Sequence, residues 1–382
     1  MHTLTDEQET LAAAVREFCE ATLAPTLKAD DEAEVFRKDL MVAMGEQGFC
    51  GVPTSSDYGG LGLGYHDYAI VLEEIARVSA SYAVSVAVTG LPQVILAQFG
   101  TPEQRDVWMP GLAAGRLLGA FALSEPESGS DAASLRTTAV LKGDRYVLNG
   151  TKYWITHGGY ADLYVVMART GGPGGAGVSA FLVPGDAPGL SAGKKEEKMG
   201  LRASPTAEII LENVEVPVEN RLGPEGTGFR CAMAALDSGR ITIGAVSVGI
   251  CRAALEVSAR YATLRRQFDT PIIDFQGVGF MLADMAIKTD AARLMVHRAA
   301  RLRDDVRPYA MEAAMAKCAA TDAAMAVTTD AVQVLGGYGY TRDYPVERFM
   351  RDAKVMQIVE GTNQVQRVVI ARQLKRRYGA DA

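Results

Sequence analysis

"TTAVLKGDRYVLNGTKYWIT" (residues 137–156) decides the fold, because here the spacing of apolar residues changes. Short strand-forming runs are punctuated by Gly143-Asp144 and Asn149-Gly150, and Asn-Gly between such runs predicts a hairpin turn. "DLYVVMA" (162–168), "VSAFLVP" (178–184) and "TAEIILENVEVP" (206–217) continue as strands between glycines and prolines. Residues 118–226 are therefore expected to form a small antiparallel, barrel-like β domain.

On both sides the period is helical. Thr5 is placed to cap a first helix with Asp6, Glu7 and Glu9 in its opening turn, and Leu11, Val15 and Phe18 follow at helical spacing. "VPTSSDYGGLGLG" (52–64) reads as a long loop, after which "YAIVLEEIARVSAS" (68–81) and "PEQRDVWMPGLAAG" (102–115) return to helix. Beyond "ENRLGPEGTGF" the chain is Ala-rich. Ile243, Val246, Ile250, Ala254 and Val257, then Val278, Leu282, Met285, Thr289, Ala292 and Val296, mark the buried stripes of two long helices. Small residues favour close helix packing in a bundle. The expected fold class is α+β, mainly α: an N-terminal α-helical domain (1–117), a middle β domain (118–226) and a C-terminal four-helix bundle (227–382).

The 382 residues suffice for two or three domains. A net charge of −7 with no basic stripe argues against nucleic acid as a partner. Cys19, Cys50, Cys231, Cys251 and Cys318 are scattered, with no CxxC pair and too few histidines for a zinc spacing. Reduced, mostly buried thiols and no metal are expected. The N-terminal segment carries no signal-peptide apolar block, and no stretch approaches the roughly 18 uninterrupted apolar residues of a membrane span. A cytoplasmic protein without membrane insertion is expected.

"GPGGAG" (172–177) fits the GxGxxG pattern, but a strand follows it where a dinucleotide site needs a helix N-terminus. It reads as a hairpin connection. A different constellation is spread over the chain: "FALSEPESGSD" (121–131), "YWITHGG" (153–159), "LRRQFDTPIIDFQ" (264–276) and "QVLGGYGYTRDYPVERFMRDAKVMQIVEGTNQ" (333–364). Singly, each has a structural explanation: Trp154 as core, Arg265 as surface charge, Gly336-Gly337 as a helix stop.

Together these segments resemble the acyl-CoA dehydrogenase family over essentially the whole chain, in order, spacing and all three regions. The resemblance implies the three-domain fold, FAD as cofactor, an acyl-CoA substrate, electron-transfer flavoprotein as electron acceptor, and a homotetramer built as a dimer of dimers. It also implies site residues. Phe121, Ala122, Leu123, Ser124 and Ser130 would meet the flavin ring, with Trp154, Ile155 and Thr156 on its other side. Arg265, Gln267, Phe268 and Gln276 would hold the pyrophosphate and adenosine, largely from a neighbouring subunit, joined by Gln333, Val334, Leu335, Gly336 and Gly337. Thr362, Asn363 and Gln364 would border the cofactor, while Ser130, Asp237, Arg240 and Gly361 match thioester-ligand positions.

The same resemblance makes Glu360 the catalytic base, and the chemistry independently calls for one. Desaturating an acyl thioester removes a weakly acidic α-proton while hydride leaves the β-carbon. A carboxylate flanked by apolar Ile358 and Val359, in a site drained of water, gains basicity through desolvation. Some relatives carry the base one residue before the arginine of "LDSGR" (236–240), but that position here is Gly239. With no arginine between Arg77 and Arg105, the decarboxylating glutaryl-CoA branch is not expected. The apolar run Val84 to Leu96 would floor the acyl pocket. Alternatives are the same oxidation on an acyl-carrier-protein thioester, a non-catalytic FAD-binding assembly relative, or an oxidase that reduces oxygen.

Overall fold

Thr5 opens the first helix with a reciprocal cap: its hydroxyl accepts from the Gln8 amide at 3.3 Å, and the Gln8 side chain accepts from the Thr5 amide at 3.2 Å. The computed structural model describes residues 4–379, so the outer domain limits Met1 and Ala382 lie outside the described residues. The N-terminal region contains α1 (Asp6–Thr22), α2 (Ala24–Ala33), α3 (Lys38–Glu46), α4 (Tyr65–Val78), α5 (Ala80–Phe99) and α6 (Pro102–Ala113). The segment 68–81, read from sequence as one helix, breaks at Ser79. There the backbone is extended (φ −143°, ψ 107°), and the Ser79 hydroxyl accepts from Tyr82 N to start α5.

The middle region holds β1 (Gly119–Ala122), β2 (Thr138–Lys142), β3 (Arg145–Thr156), β4 (Leu163–Arg169), β5 (Val178–Pro184), β6 (Leu190–Lys195), β7 (Thr206–Pro217) and β8 (Arg221–Leu222). They form one sheet in the order β6-β7-β3-β2-β4-β5-β8, with β1 added against β4. Most pairs are antiparallel, but β1 runs parallel to β4, which also takes a short parallel pairing with β2. Gly143-Asp144 makes the predicted turn between β2 and β3.

Asn149-Gly150 does not make a turn. β3 runs straight through it as a bulge, its register against β7 shifting between Leu148 and Gly150. The Asn149 side chain is bound to Asn213 on β7, accepting from its amide at 2.8 Å. Gly150 lies so close to Thr137 that a Cβ there would sit 2.8 Å from Thr137 Cα. "GPGGAG" connects β4 to β5 as a hairpin loop, as expected.

The C-terminal region comprises α7 (Gly228–Leu264), α8 (Gln276–Asp304), α9 (Ala310–Leu335), α10 (Val346–Met356) and α11 (Asn363–Tyr378). The predicted stripes of α7 and α8 are turned inward, Ile243, Val246, Ile250, Met285 and Val296 being almost wholly buried. These residues share one core with Val15, Met41 and Leu72, so the first and last helical regions pack as a single body. A second core joins Leu91 and Ile95 of α5, Val165 and Leu182 of the sheet, and Cys231 and Ala235 of α7. Helices α5 and α7 are long and apolar enough to cross a bilayer by length and composition, yet most of each is buried against protein. All five cysteines are free and buried. The consequence for the site is that α7 leaves the sheet near Ala235 and enters the helical core near Ile241, and residues 237–240 lie at the junction.

Candidate active site

Between α10 and α11 the chain makes a tight turn through two successive left-handed residues, Glu360 (φ 55°) and Gly361 (φ 86°). Glycine adopts this conformation freely; glutamate does so only when its surroundings hold it. Here they do. Gln366 Nε2 donates to the carbonyls of Glu360 (3.0 Å) and Gly361 (2.9 Å), and Lys317 Nζ donates to the Gly361 carbonyl (3.0 Å) and to Asn363 Oδ1 (2.9 Å). Thr362 then caps α11 by accepting from Val365 N at 3.2 Å.

This turn drives the Glu360 carboxylate against α7. Built onto Gly239, a Cβ would lie 2.6 Å from Glu360 Cδ and closer still to Oε2, so only glycine leaves space for the acid. Glu360 as a residue is half-buried, but its Oε2 is sealed from solvent and has no hydrogen-bond partner among the described residues. Burial pushes its pKa up to about 7, against the opposing pull of Arg240 and Lys317. The desolvation arises differently from the expectation. Ile358 turns outward and is 53% exposed, whereas α7 does the covering. Arg240, almost wholly buried, pairs with Asp237 and keeps its Nε unpartnered toward the same region.

The middle region supplies a second cluster. Tyr153 N donates to the Ser124 carbonyl at 2.9 Å, which joins the loop after β1 to the end of β3. Beneath them, fully buried Lys152 donates to the Leu123 carbonyl (3.0 Å) and to Glu125 Oε1 (2.8 Å), while Glu125 also accepts from the amides of Arg136 and Thr137. Phe121, Ala122, Leu123, Ser124 and Trp154, Ile155, Thr156 are therefore adjacent on one rigid edge. Trp154 is 63% exposed in a left-handed conformation (φ 63°), which rules out the core reading. Ser130 is exposed on the same loop.

A third cluster is a cleft of about 520 Å³, lined by Arg265, Gln267, Val334, Leu335, Gly336 and Gly337. The two segments singled out from sequence for one ligand thus meet, 70 residues apart in the chain. Phe268 (91% exposed) and Gln276 are exposed and do not line it, and the Gln333 carbonyl closes the end of α9 by accepting from Gly336 N. Within the described residues no hydrogen bond or ion pair joins this cleft to the other two clusters. Asn363, assigned to the cofactor border, is buried with its side chain bound to Lys317, Thr321 and Asp322, so only Thr362 and Gln364 face outward from that group.

These residues fit a flavin dinucleotide. Arg265 lies over the Tyr338 ring and makes no ion pair among the described residues, leaving its charge for a pyrophosphate. A Cβ on Gly336 or Gly337 would meet nothing within 4 Å, so the backbone is open to close approach by a ligand. Trp154 and the Ser124 and Thr156 positions offer an aromatic face beside polar groups.

Profiles of the acyl-CoA dehydrogenase N-terminal, middle and C-terminal domains match residues 5–116, 120–214 and 226–375. The chain belongs to the acyl-CoA dehydrogenase family. That oxidoreductase family and its flavoprotein structural neighbours are FAD-dependent. An acyl-CoA dehydrogenase of Bacillus subtilis (strain 168) is 47% identical over 376 residues, covering 98% of this chain and 99% of its own. Butyryl-CoA dehydrogenase from Megasphaera elsdenii superimposes with a TM-score of 0.96 at 42% identity, over 98% of this chain and 99% of that one. A chain in the structure of the electron-transferring flavoprotein of Acidaminococcus fermentans gives 0.97 at 47% identity, over 98% and 100%. Sequence reasoning about this acyl-CoA dehydrogenase missed Lys317, Gln366 and the Lys152–Glu125 pair. The one signal was an isolated lysine in the alanine-rich run "AAMAKCAATDAAMA" (313–326).

Proposed function

We propose that the protein desaturates the α,β-bond of an acyl-CoA thioester, with the Glu360 carboxylate accepting the α-proton. The observation that carries this reading is the desolvated carboxylate over Gly239, held there by a turn whose carbonyls are pinned by Gln366 and Lys317. A pKa of about 7 gives a base that is substantially ionised at neutral pH and strong enough to remove a weakly acidic proton. Oε1 is not enclosed in this way and makes no hydrogen bond among the described residues, so it is the oxygen that a substrate Cα–H can approach. Bound FAD supplies the acceptor for the hydride that leaves the β-carbon.

Phe121 to Ser124, Ser130 and Trp154 to Thr156 would hold the flavin ring, and Thr362 and Gln364 its border. Arg265, Gln267, Phe268, Gln276 and Gln333 to Gly337 would hold the dinucleotide of a neighbouring subunit, which suits their separation from the other clusters within one chain. Ser130, Asp237, Arg240 and Gly361 would receive the thioester. Exposed Phe280, Ile287 and Leu294 lie at seven-residue spacing along α8, and this stripe supports the homotetramer. Electron-transfer flavoprotein is the proposed acceptor.

The test is anaerobic addition of a panel of acyl-CoA thioesters, and of the same acyl groups on a carrier protein, to FAD-loaded protein. Bleaching of the flavin band by CoA thioesters is expected. Bleaching by carrier-bound thioesters alone would move the substrate class, and no bleaching by any thioester would refute the proposal.

A further inference from the structure

We infer that Lys317 is a positioning residue for the base, its ammonium on α9 clamping the Gly361 carbonyl and keeping a positive charge beside Glu360. The inference rests on the reading of Glu360 as base. Lys317 is 0% exposed, in a run of alanines, and no carboxylate lies within ion-pair distance of it among the described residues. Burying an ammonium without a carboxylate is unfavourable, and an apolar residue would normally occupy such a position. Two of its three N–H groups are spent on Gly361 O and Asn363 Oδ1.

Holding the turn does not by itself require the charge. Gln366 already donates to both carbonyls of the Glu360-Gly361 turn with a neutral amide. What Gln366 cannot provide is a cation. The groups facing Lys317 are Glu360 from the turn, Arg240 from α7, and Cys318 and Asp322 from α9 itself; Asp237 stands behind Arg240. Burial lowers the Lys317 pKa to about 8 and Glu360 raises it, so the ammonium persists at neutral pH. Lys317 and Arg240 together keep the Glu360 carboxyl from rising further out of its working range. During the reaction the α-C–H bond breaks, an O–H bond forms on Glu360, and the negative charge passes to the thioester oxygen.

The test compares full-length, FAD-loaded wild type, Lys317→Met, Lys317→Arg and Glu360→Gln, mixed anaerobically with butyryl-CoA between pH 5.5 and 9. Lys317→Met should keep its flavin and thermal stability close to wild type. The acid limb of its reduction rate should move to higher pH, with a rate at pH 6 roughly tenfold lower. Lys317→Arg should restore the limb while staying slower, because a longer, forked head cannot reproduce the clamp. A Lys317→Met enzyme whose limb does not move overturns the inference, and so does failure of both lysine variants to fold and load flavin, which would assign the residue to folding alone. Wild-type reduction by Glu360→Gln is a separate result that would remove the base reading itself.

Discussion

Gly239→Ala sets helix stability and catalysis in opposition. The added methyl would stand 2.6 Å from Glu360 Cδ and 3.1 Å from Oε1. The side chain is what yields: α7 is anchored by buried Ala235 and Ile241 on either flank, and the Glu360 backbone is held at φ 55° by Gln366, which leaves the carboxyl end free to turn aside. Relief to ordinary van der Waals distance therefore requires the carboxyl group to shift by roughly 1 Å, and a displacement of that size costs about 100-fold in a reaction that depends on close approach. That is about 2.7 kcal/mol of activation free energy. Against it, alanine in a helix interior stabilises by about 0.5–1 kcal/mol relative to glycine, close to the lower end of the roughly 1–3 kcal/mol cost of overpacking. The expected variant thus melts within a few degrees of wild type, keeps its flavin, and is reduced by acyl-CoA about 100-fold more slowly in anaerobic stopped flow. In a Glu360→Gln background the alanine should add little further loss, since the reacting group is already absent. Reduction by Gly239→Ala within threefold of wild type would refute the placement of the base over α7.

Two further outcomes follow from the other clusters and from the titration of the acid. Arg265→Ala should weaken FAD retention and the oligomer together, because the cleft it lines is separate from the flavin-ring cluster of its own chain; equilibrium dialysis and sedimentation velocity measure both, and unchanged values contradict the assignment. The rate of flavin reduction should fall as pH drops through about 7, since burial raises the Glu360 pKa and the carboxyl must be ionised to accept a proton; a plateau that persists down to pH 5 would exclude Glu360 as the titrating group.

Much of the fold was legible wherever a local rule and the tertiary structure agree. Thr5 caps α1, Gly143-Asp144 turns β2 into β3, and the apolar stripes of α7 and α8 face the core. The misreadings arose where a distant partner outweighed a local signal. Asn149-Gly150 has the composition of a turn, but Asn213, sixty-four residues away, binds the asparagine and Thr137 crowds the glycine, so the strand continues as a bulge. Ser79 looks like a mid-helix residue until its hydroxyl is seen capping the next helix. At the site, Glu360 and the residues on both sides of the Arg265 cleft were named through the family resemblance. The covering of the acid by Gly239 instead of Ile358, and the Lys317 clamp, depend on α7 and α9 meeting the turn in space. No spacing within "QIVEGTNQVQR" (357–367) encodes that meeting.

The most direct test of the base is a single-turnover measurement on Glu360→Gln. Mixed anaerobically with butyryl-CoA, the FAD-loaded variant should bind the thioester yet reduce its flavin at least roughly 1,000-fold more slowly than wild type, because an amide cannot accept the α-proton. Bleaching at close to the wild-type rate would show that another group takes the proton.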